Sequence, residues 1–388
     1  MMVDDLTTQE ITVGGDLRIP LMRPSLPKAE ELVKYLEAID VARRYTNAGP
    51  LVTEFERRLA RHFGVGDGCV VCVANGTLGL VLALAAGEPR PGSLCIVPSW
   101  TFVATPCAAV AAGLTPWFVD VREDTWCLDP DQVAALLPRA PGTVAAVVAV
   151  SPFGAPLDPA VWDAFRASTG IDVVLDMAAA FDSCKAGRVP ALVSLHATKV
   201  FGVGEGGLVV TTDEELAGTI RRNANYGFSP GAQVTSLGIN AKMSEYTAAV
   251  GLAALDRWPR QRAAYSALTR SYRTRLQEIP DCALSPAFGE GWCGSTCNVR
   301  FGWSDADRLR RELQHFGIES RKWWGDGCHR HPALASFPRT PLPATEALSS
   351  SVLGLPFFPD LREEDVDYLF EALHAIRTAI CGETRDLV

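Results

Sequence analysis

Val144-Ala-Ala-Val-Val-Ala-Val150 and, one helix-sized gap later, Val173-Val-Leu-Asp176 are the stretches on which the fold turns. Each is nearly continuous in apolar residues, without the alternation of a strand that has one face in water. The intervening residues 159–167 carry a helical pattern. A strand buried on both faces, a helix and a second such strand form the unit of a parallel sheet covered by helices on both sides. The pattern continues outward: residues 69–74, 94–97, 116–121 and 208–212 are β-rich, and residues 77–86, 102–112 and 130–137 are helix candidates between them. The fold class is α/β with a mostly parallel central sheet.

After about residue 245 the pattern changes. A long helical stretch over 246–276 leads away from the sheet. It is followed by a strand at 297–302 and helices at 305–316 and 363–376, the elements of a smaller C-terminal α+β domain. The expected organisation is an N-terminal arm over 1–18, a large domain over 19–255 and a small domain over 256–388.

The chain has 388 residues, 48% hydrophobic and 21% charged, with a net charge of −9. That charge argues against a general nucleic-acid binder, which needs a basic surface. The apolar runs are too short to span a bilayer. Asp4, Asp5 and Glu10 near the N-terminus do not make a secretory signal, so a cytoplasmic protein is expected. Eleven cysteines include the pairs Cys69/Cys72 and Cys293/Cys297. A zinc site would have to join both pairs, and in a strand positions three apart face opposite ways. Reduced, buried thiols and no metal are the expectation.

Gly202-Val-Gly204-Glu-Gly206-Gly207 matches the spacing of a dinucleotide-binding loop, but strand-like residues follow it, so the helix N-terminus that would seat a pyrophosphate is missing. The more informative segment is Ser194-Leu-His-Ala-Thr198-Lys199, whose lysine enters a glycine-rich loop among apolar neighbours. Desolvation there favours the neutral amine that a Schiff-base lysine needs; taken alone, such a lysine is more often structural or solvated. Asp176 closes a strand where open α/β sheets place ligands. It could pair with a protonated pyridine nitrogen or simply cap a helix. Asn75-Gly76-Thr77 opens a helix and reads as an anion seat or as plain capping. A phosphate seat, a carboxylate and a lysine together fit pyridoxal phosphate.

Six stretches carry a family resemblance. They are Thr46-Asn-Ala-Gly-Pro50, Ala74-Asn-Gly-Thr77, Pro98-Ser-Trp-Thr-Phe-Val-Ala-Thr105, Ser194-Leu-His-Ala-Thr-Lys199, Glu205-Gly-Gly207 and Gly238-Ile-Asn-Ala-Lys-Met-Ser-Glu245. In that order and spacing the chain resembles the DegT/DnrJ/StrS family of pyridoxal-phosphate-dependent nucleotide-sugar aminotransferases, and most closely its branch that aminates 4-keto sugars. The resemblance implies the type I (aspartate aminotransferase) fold. It also implies catalytic roles for Lys199 as Schiff-base lysine and proton shuttle and for Asp176 at the pyridine nitrogen. Gly76, Thr77 and Ser194 would hold the phosphate, with Asn240 reaching in from the partner of a homodimer whose active sites are shared. Phe102 would stack on the ring, in preference to Trp100.

Two departures stand out. Ala179 occupies a cofactor-contact position where the family usually has His or Gln, and Ser151-Pro-Phe-Gly154 replaces a usual His-x-Tyr-Gly. The implied substrates are a nucleotide-linked keto sugar, such as a dTDP-4-keto-6-deoxyhexose, and glutamate as amino donor. The sugar pocket is expected at Thr46, Asn47, Arg321, Trp324, His329 and His331, although two histidines one residue apart also suit a plain polar loop. A keto-cyclitol aminotransferase and a pyridoxal-phosphate-dependent sugar dehydratase or lyase are the alternatives.

Overall fold

A computed structural model describes residues 17–385. Most of the expected N-terminal arm, residues 1–16, lies outside the described residues. The main sheet has seven strands: β1 (Val70–Val73), β2 (Leu94–Pro98), β3 (Thr115–Val119), β4 (Val144–Val150), β5 (Asp172–Asp176), β6 (Ala191–Ser194) and β7 (Gly207–Val210). Their order is β1-β7-β6-β5-β4-β2-β3. The pairs β2/β3, β2/β4, β4/β5 and β5/β6 are parallel, whereas β7 is antiparallel to both β6 and β1. One reversed strand therefore sits inside an otherwise parallel sheet.

The apolar runs are continuous because both faces are buried. In β4, Val147 and Ala149 join one core while Ala146, Val148 and Val150 join the other; in β5, Val173 and Leu175 are separated from Val174 in the same way. The period-two geometry of a strand sends successive side chains to opposite faces, so a two-sided core demands apolar residues at every position.

Helix starts follow local chemistry. Asn75, Asp129, Asp158, Asp213, Ser244 and Asp305 each accept a backbone N–H of the turn they open, which satisfies donors that have no intrahelical partner. The expected helix at 102–112 is shorter, Ala104–Ala111, because residues 99–101 form a bend and the helix starts only after it. The expected list of strands lacked β6, a four-residue strand that follows Pro190.

Beyond a small hairpin of β8 (Phe228–Ser229) and β9 (Gln233–Val234), the 32-residue helix Glu245–Leu276 leads to a second sheet. This antiparallel sheet comprises β10 (Cys282–Leu284), β11 (Cys297–Phe301) and β12 (Val352–Leu355), in that order. Helices Ala306–His315 and Glu363–Arg385 accompany it. Tyr272 of the long helix, Phe301 of β11 and Leu373 belong to the same apolar core as Val147 and Leu175. No helix among the described residues is long and apolar enough to cross a membrane.

Candidate active site

The ends of four neighbouring strands build one edge of the main sheet. β1 ends just before Asn75, whose side-chain oxygen accepts the Leu78 N–H at 2.9 Å and opens the helix Gly76–Ala85. That cap leaves the N–H groups of Gly76 and Thr77 for another acceptor at the positive end of the helix. Gly76 lies against the end of β6: a Cβ built on it would come 3.2 Å from Ser194 Cβ and 3.3 Å from Ser194 Oγ. Gly207, the first residue of β7, is tighter still, since a Cβ there would meet the Asn75 carbonyl carbon and the Gly76 nitrogen at 2.9 Å. Glycine at 207 is what lets the first helical turn settle onto the sheet. Gly76, Thr77 and Ser194 thus come together as a cradle of N–H and hydroxyl donors.

Asp176 closes β5 beside this cradle. Its carboxylate is 5% exposed. Oδ2 accepts the Thr105 hydroxyl at 2.7 Å, and Oδ1 accepts the Ala178 N–H at 3.2 Å. Burial pushes its pKa up, against the opposing pull of the Thr105 and Ala178 hydrogen bonds and the Lys199 charge. A carboxylate in this state calls for a cationic partner.

Lys199 stands in the loop that turns β6 back into β7. The two strands continue past their named ends through Leu195 N–H to Gly206 carbonyl (2.9 Å) and Ala197 N–H to Gly204 carbonyl (2.7 Å). Gln261 of the long helix donates to the Val200 carbonyl at 2.8 Å and ties down the loop. Lys199 is half-buried, between the buried Leu195 and Val200. Loss of solvent lowers its pKa, opposed by the charge of Asp176. The amine is therefore more readily neutral than that of a surface lysine.

The remaining predicted residues separate by environment. Phe102 is 58% exposed whereas Trp100 is 2% exposed and packs with Trp126, Phe153 and Trp324. Trp324 reaches the end of β4 by stacking on Phe153, ring centres 4.0 Å apart. Ala179 is half-buried in the turn after β5, and its carbonyl would be 2.7 Å from a Cβ on Gly154, whose φ is +98°. His329 is buried with Nδ1 2.7 Å from Ser99 Oγ, while His331 and Arg321 are exposed. Thr46, Asn47 and Asn240 are exposed too, and among the described residues none hydrogen-bonds Gly76, Asp176, Ser194 or Lys199. Residues 45–52 are held instead by Glu245, which sequence reasoning missed. Its buried carboxylate accepts the N–H groups of Leu51 (2.8 Å) and Val52 (3.0 Å), and its own N–H donates to the Tyr45 carbonyl at 3.0 Å. Thr101, Thr105 and Ser99 were missed as well; Thr101 lies in the bend before the helix that holds Thr105, so no helical spacing links them in the sequence.

The model of the DegT/DnrJ/EryC1/StrS aminotransferase family matches residues 27–374. The chain belongs to this family. The aminotransferase is 31% identical to Protein Rv3402c of Mycobacterium tuberculosis and to Protein Mb3436c of Mycobacterium bovis, in each case over 90% of this chain and 88% of the relative. Among solved structures it is similar to DesI, determined in the presence of its TDP-sugar product (32% identity, TM-score 0.84, 97% of each chain). It is also similar to a pyridoxal-phosphate-dependent aminotransferase of Bacillus cereus (29% identity, TM-score 0.85, 92% of this chain and 99% of that one).

The aminotransferase has the type I fold, is a sugar aminotransferase by family, and takes pyridoxal phosphate as cofactor. Its residues fit that cofactor. A donor cradle at a helix N-terminus suits a phosphate, a buried carboxylate with no hydrogen-bonded cation among the described residues suits a pyridinium, and an amine of lowered pKa suits a carbonyl.

Proposed function

We propose that the enzyme transfers the amino group of L-glutamate to a nucleotide-linked keto sugar, a dTDP-4-keto-6-deoxyhexose or a close relative, as a cytoplasmic homodimer. The amino sugar would serve secondary-metabolite (antibiotic) or surface-polysaccharide biosynthesis. The observation that carries this reading is the likeness to DesI across 97% of both chains, coupled with the retained lysine in the β6–β7 loop.

The residues divide the work. The N–H groups of Gly76 and Thr77, with the Ser194 hydroxyl and Asn240 of the partner subunit, hold the phosphate. Asp176 accepts a hydrogen bond from the ring nitrogen and keeps it protonated. Bound pyridoxal phosphate supplies an electron sink for the substrate carbon that loses its proton. Lys199 Nζ would be the base that accepts and holds that proton, a role that requires the neutral amine its surroundings favour. Phe102, exposed just after the bend that follows β2, covers the ring face. Ala179 offers the ring hydroxyl no side-chain partner, so the cofactor's orientation rests more heavily on Asp176 and the cradle. Thr46, Asn47, Arg321, Trp324, His329 and His331 contact the sugar nucleotide.

The test is incubation of purified enzyme with pyridoxal phosphate, glutamate and a dTDP-4-keto-6-deoxyhexose, with release of 2-oxoglutarate and mass of the sugar product as readouts. Borohydride reduction should attach the cofactor to the peptide containing Lys199. Lys199→Ala should bind cofactor without completing turnover; wild-type-like turnover in that variant refutes the assignment.

A further inference from the structure

Two hydroxyl groups with no part in the steps above stand behind Asp176. Thr105 Oγ1 donates to Asp176 Oδ2 at 2.7 Å, and Thr101 Oγ1 lies 2.8 Å from Thr105 Oγ1. Both threonines are buried. A hydroxyl carries one proton and two lone pairs. With the Thr105 proton directed at the carboxylate, the Thr101 hydroxyl must be the donor in the contact between the threonines. The order Thr101 to Thr105 to Asp176 holds while Oδ2 is unprotonated, and a proton on Oδ2 would reverse it.

The relay is anchored from outside. The Thr101 N–H donates to the Ser99 carbonyl at 3.1 Å, and the Thr101 carbonyl accepts the Cys328 thiol at 3.2 Å. Cys328 N–H in turn donates to the Ser99 carbonyl at 2.8 Å. On the other side, Thr105 lies in the first turn of the helix Ala104–Ala111, its N–H bonded to the Phe102 carbonyl at 3.1 Å. Neither hydroxyl is free to wander.

The geometry points to Thr105, backed by Thr101, as a positioning residue that holds Asp176 ionised and aimed at the cofactor's ring nitrogen. This rests on the reading of Asp176 as the partner of that nitrogen. Burial works against ionisation. The relay opposes it with a charge-assisted hydrogen bond strengthened by its own donor. The other groups acting on Asp176 are the Ala178 N–H and, among charged groups, Lys199 from the β6–β7 loop.

The test uses Thr105→Val, Thr105→Ser and Asp176→Asn, each stripped and reconstituted with pyridoxal phosphate. Cofactor affinity is measured by absorbance titration across the acid range. Thr105→Val should weaken the cofactor about tenfold and raise the pH below which affinity is lost by roughly one pH unit. Thr105→Ser should restore both. A folded Thr105→Val with wild-type affinity and acid limit overturns the relay. Should Thr105→Val not fold, Thr101→Val takes its place: a smaller upward move of the acid limit supports the relay, and none overturns it. Asp176→Asn keeps the two readings apart. If it binds cofactor like wild type, the role of Asp176 falls and the relay with it; if it loses the cofactor while Thr105→Val does not, the relay alone falls.

Discussion

Gly207 shows how little space the proposed cofactor cradle leaves. Its missing Cβ would overlap the backbone of Asn75 and Gly76, and backbone cannot swing aside as a long side chain can. Gly207→Ala should therefore push the helix Gly76–Ala85 away from the sheet, at a cost of about 1–3 kcal/mol. Cofactor affinity should fall with it, because the displaced donors are those proposed to face the phosphate. Titration of the apoenzyme with pyridoxal phosphate measures this, and unchanged affinity would mean that the cradle lies elsewhere. Asp176 and Lys199 show a second constraint at this scale. Burial moves the acid up and the amine down, so each is drawn toward its neutral form while the charge of each opposes the drift of the other. Asp176→Asn removes one side of that balance and leaves Lys199 still easier to deprotonate.

Among the elements, the helix Pro50–Phe63 depends on a distant residue. Gly49 at its start contributes no capping side chain. The Glu245 carboxylate supplies the cap from the first turn of another helix, and a Cβ on Gly49 would meet that carboxylate at 2.6 Å. Glu245→Ala leaves two buried N–H groups without acceptors and removes a negative charge from a helix N-terminus. A loss of about 2–4 kcal/mol is expected, read as a lower Tm, together with a raised KM for the sugar substrate, since residues 45–49 lose their anchor. A KM equal to wild type would separate that loop from substrate binding.

Strands β1 to β5 and β7 were legible in the sequence because burial on both faces forces nearly continuous apolar runs. β6 was not, since four residues between Pro190 and a polar loop are too few for any period to emerge. β8, β9, β10 and β12 escaped for the same reason. The candidate lysine, aspartate and cradle were readable from strand ends and from the family resemblance. Three features were not: the hydroxyl relay, the Glu245 cap and the Trp324–Phe153 stack. Each joins residues whose meeting is set by tertiary packing rather than by local pattern. The preference for Phe102 over Trp100 came from the family resemblance, and the fold adds that Trp100 is buried while Phe102 is exposed.

Across the whole molecule, apolar surface remains where a second subunit is proposed to sit. Leu237 is 94% exposed, and Tyr226, Phe228, Val234 and Ile239 are exposed near it, on and around the β8–β9 hairpin. Exposed apolar side chains gathered in one region mark contact surfaces. Asn240 lies at the end of this stretch. Leu237→Asp should turn a dimer into a monomer by sedimentation and should weaken cofactor binding in the same preparation, as the monomer lacks Asn240 of the partner subunit. A monomeric variant that binds the cofactor as tightly as wild type would refute shared sites.

The single reversed strand has a consequence for how the chain is made. β1 finds its ladder partner in β7, more than 130 residues later (Val73 opposite Gly207). On a ribosome that emits residues from the N-terminus onward, β2 to β6 can pair among themselves while β1 waits with its hydrogen-bonding edge bare. The strand that leads into the phosphate cradle is thus among the last to be enclosed, and a nascent chain halted before residue 207 would carry an open, aggregation-prone edge and no seat for its coenzyme.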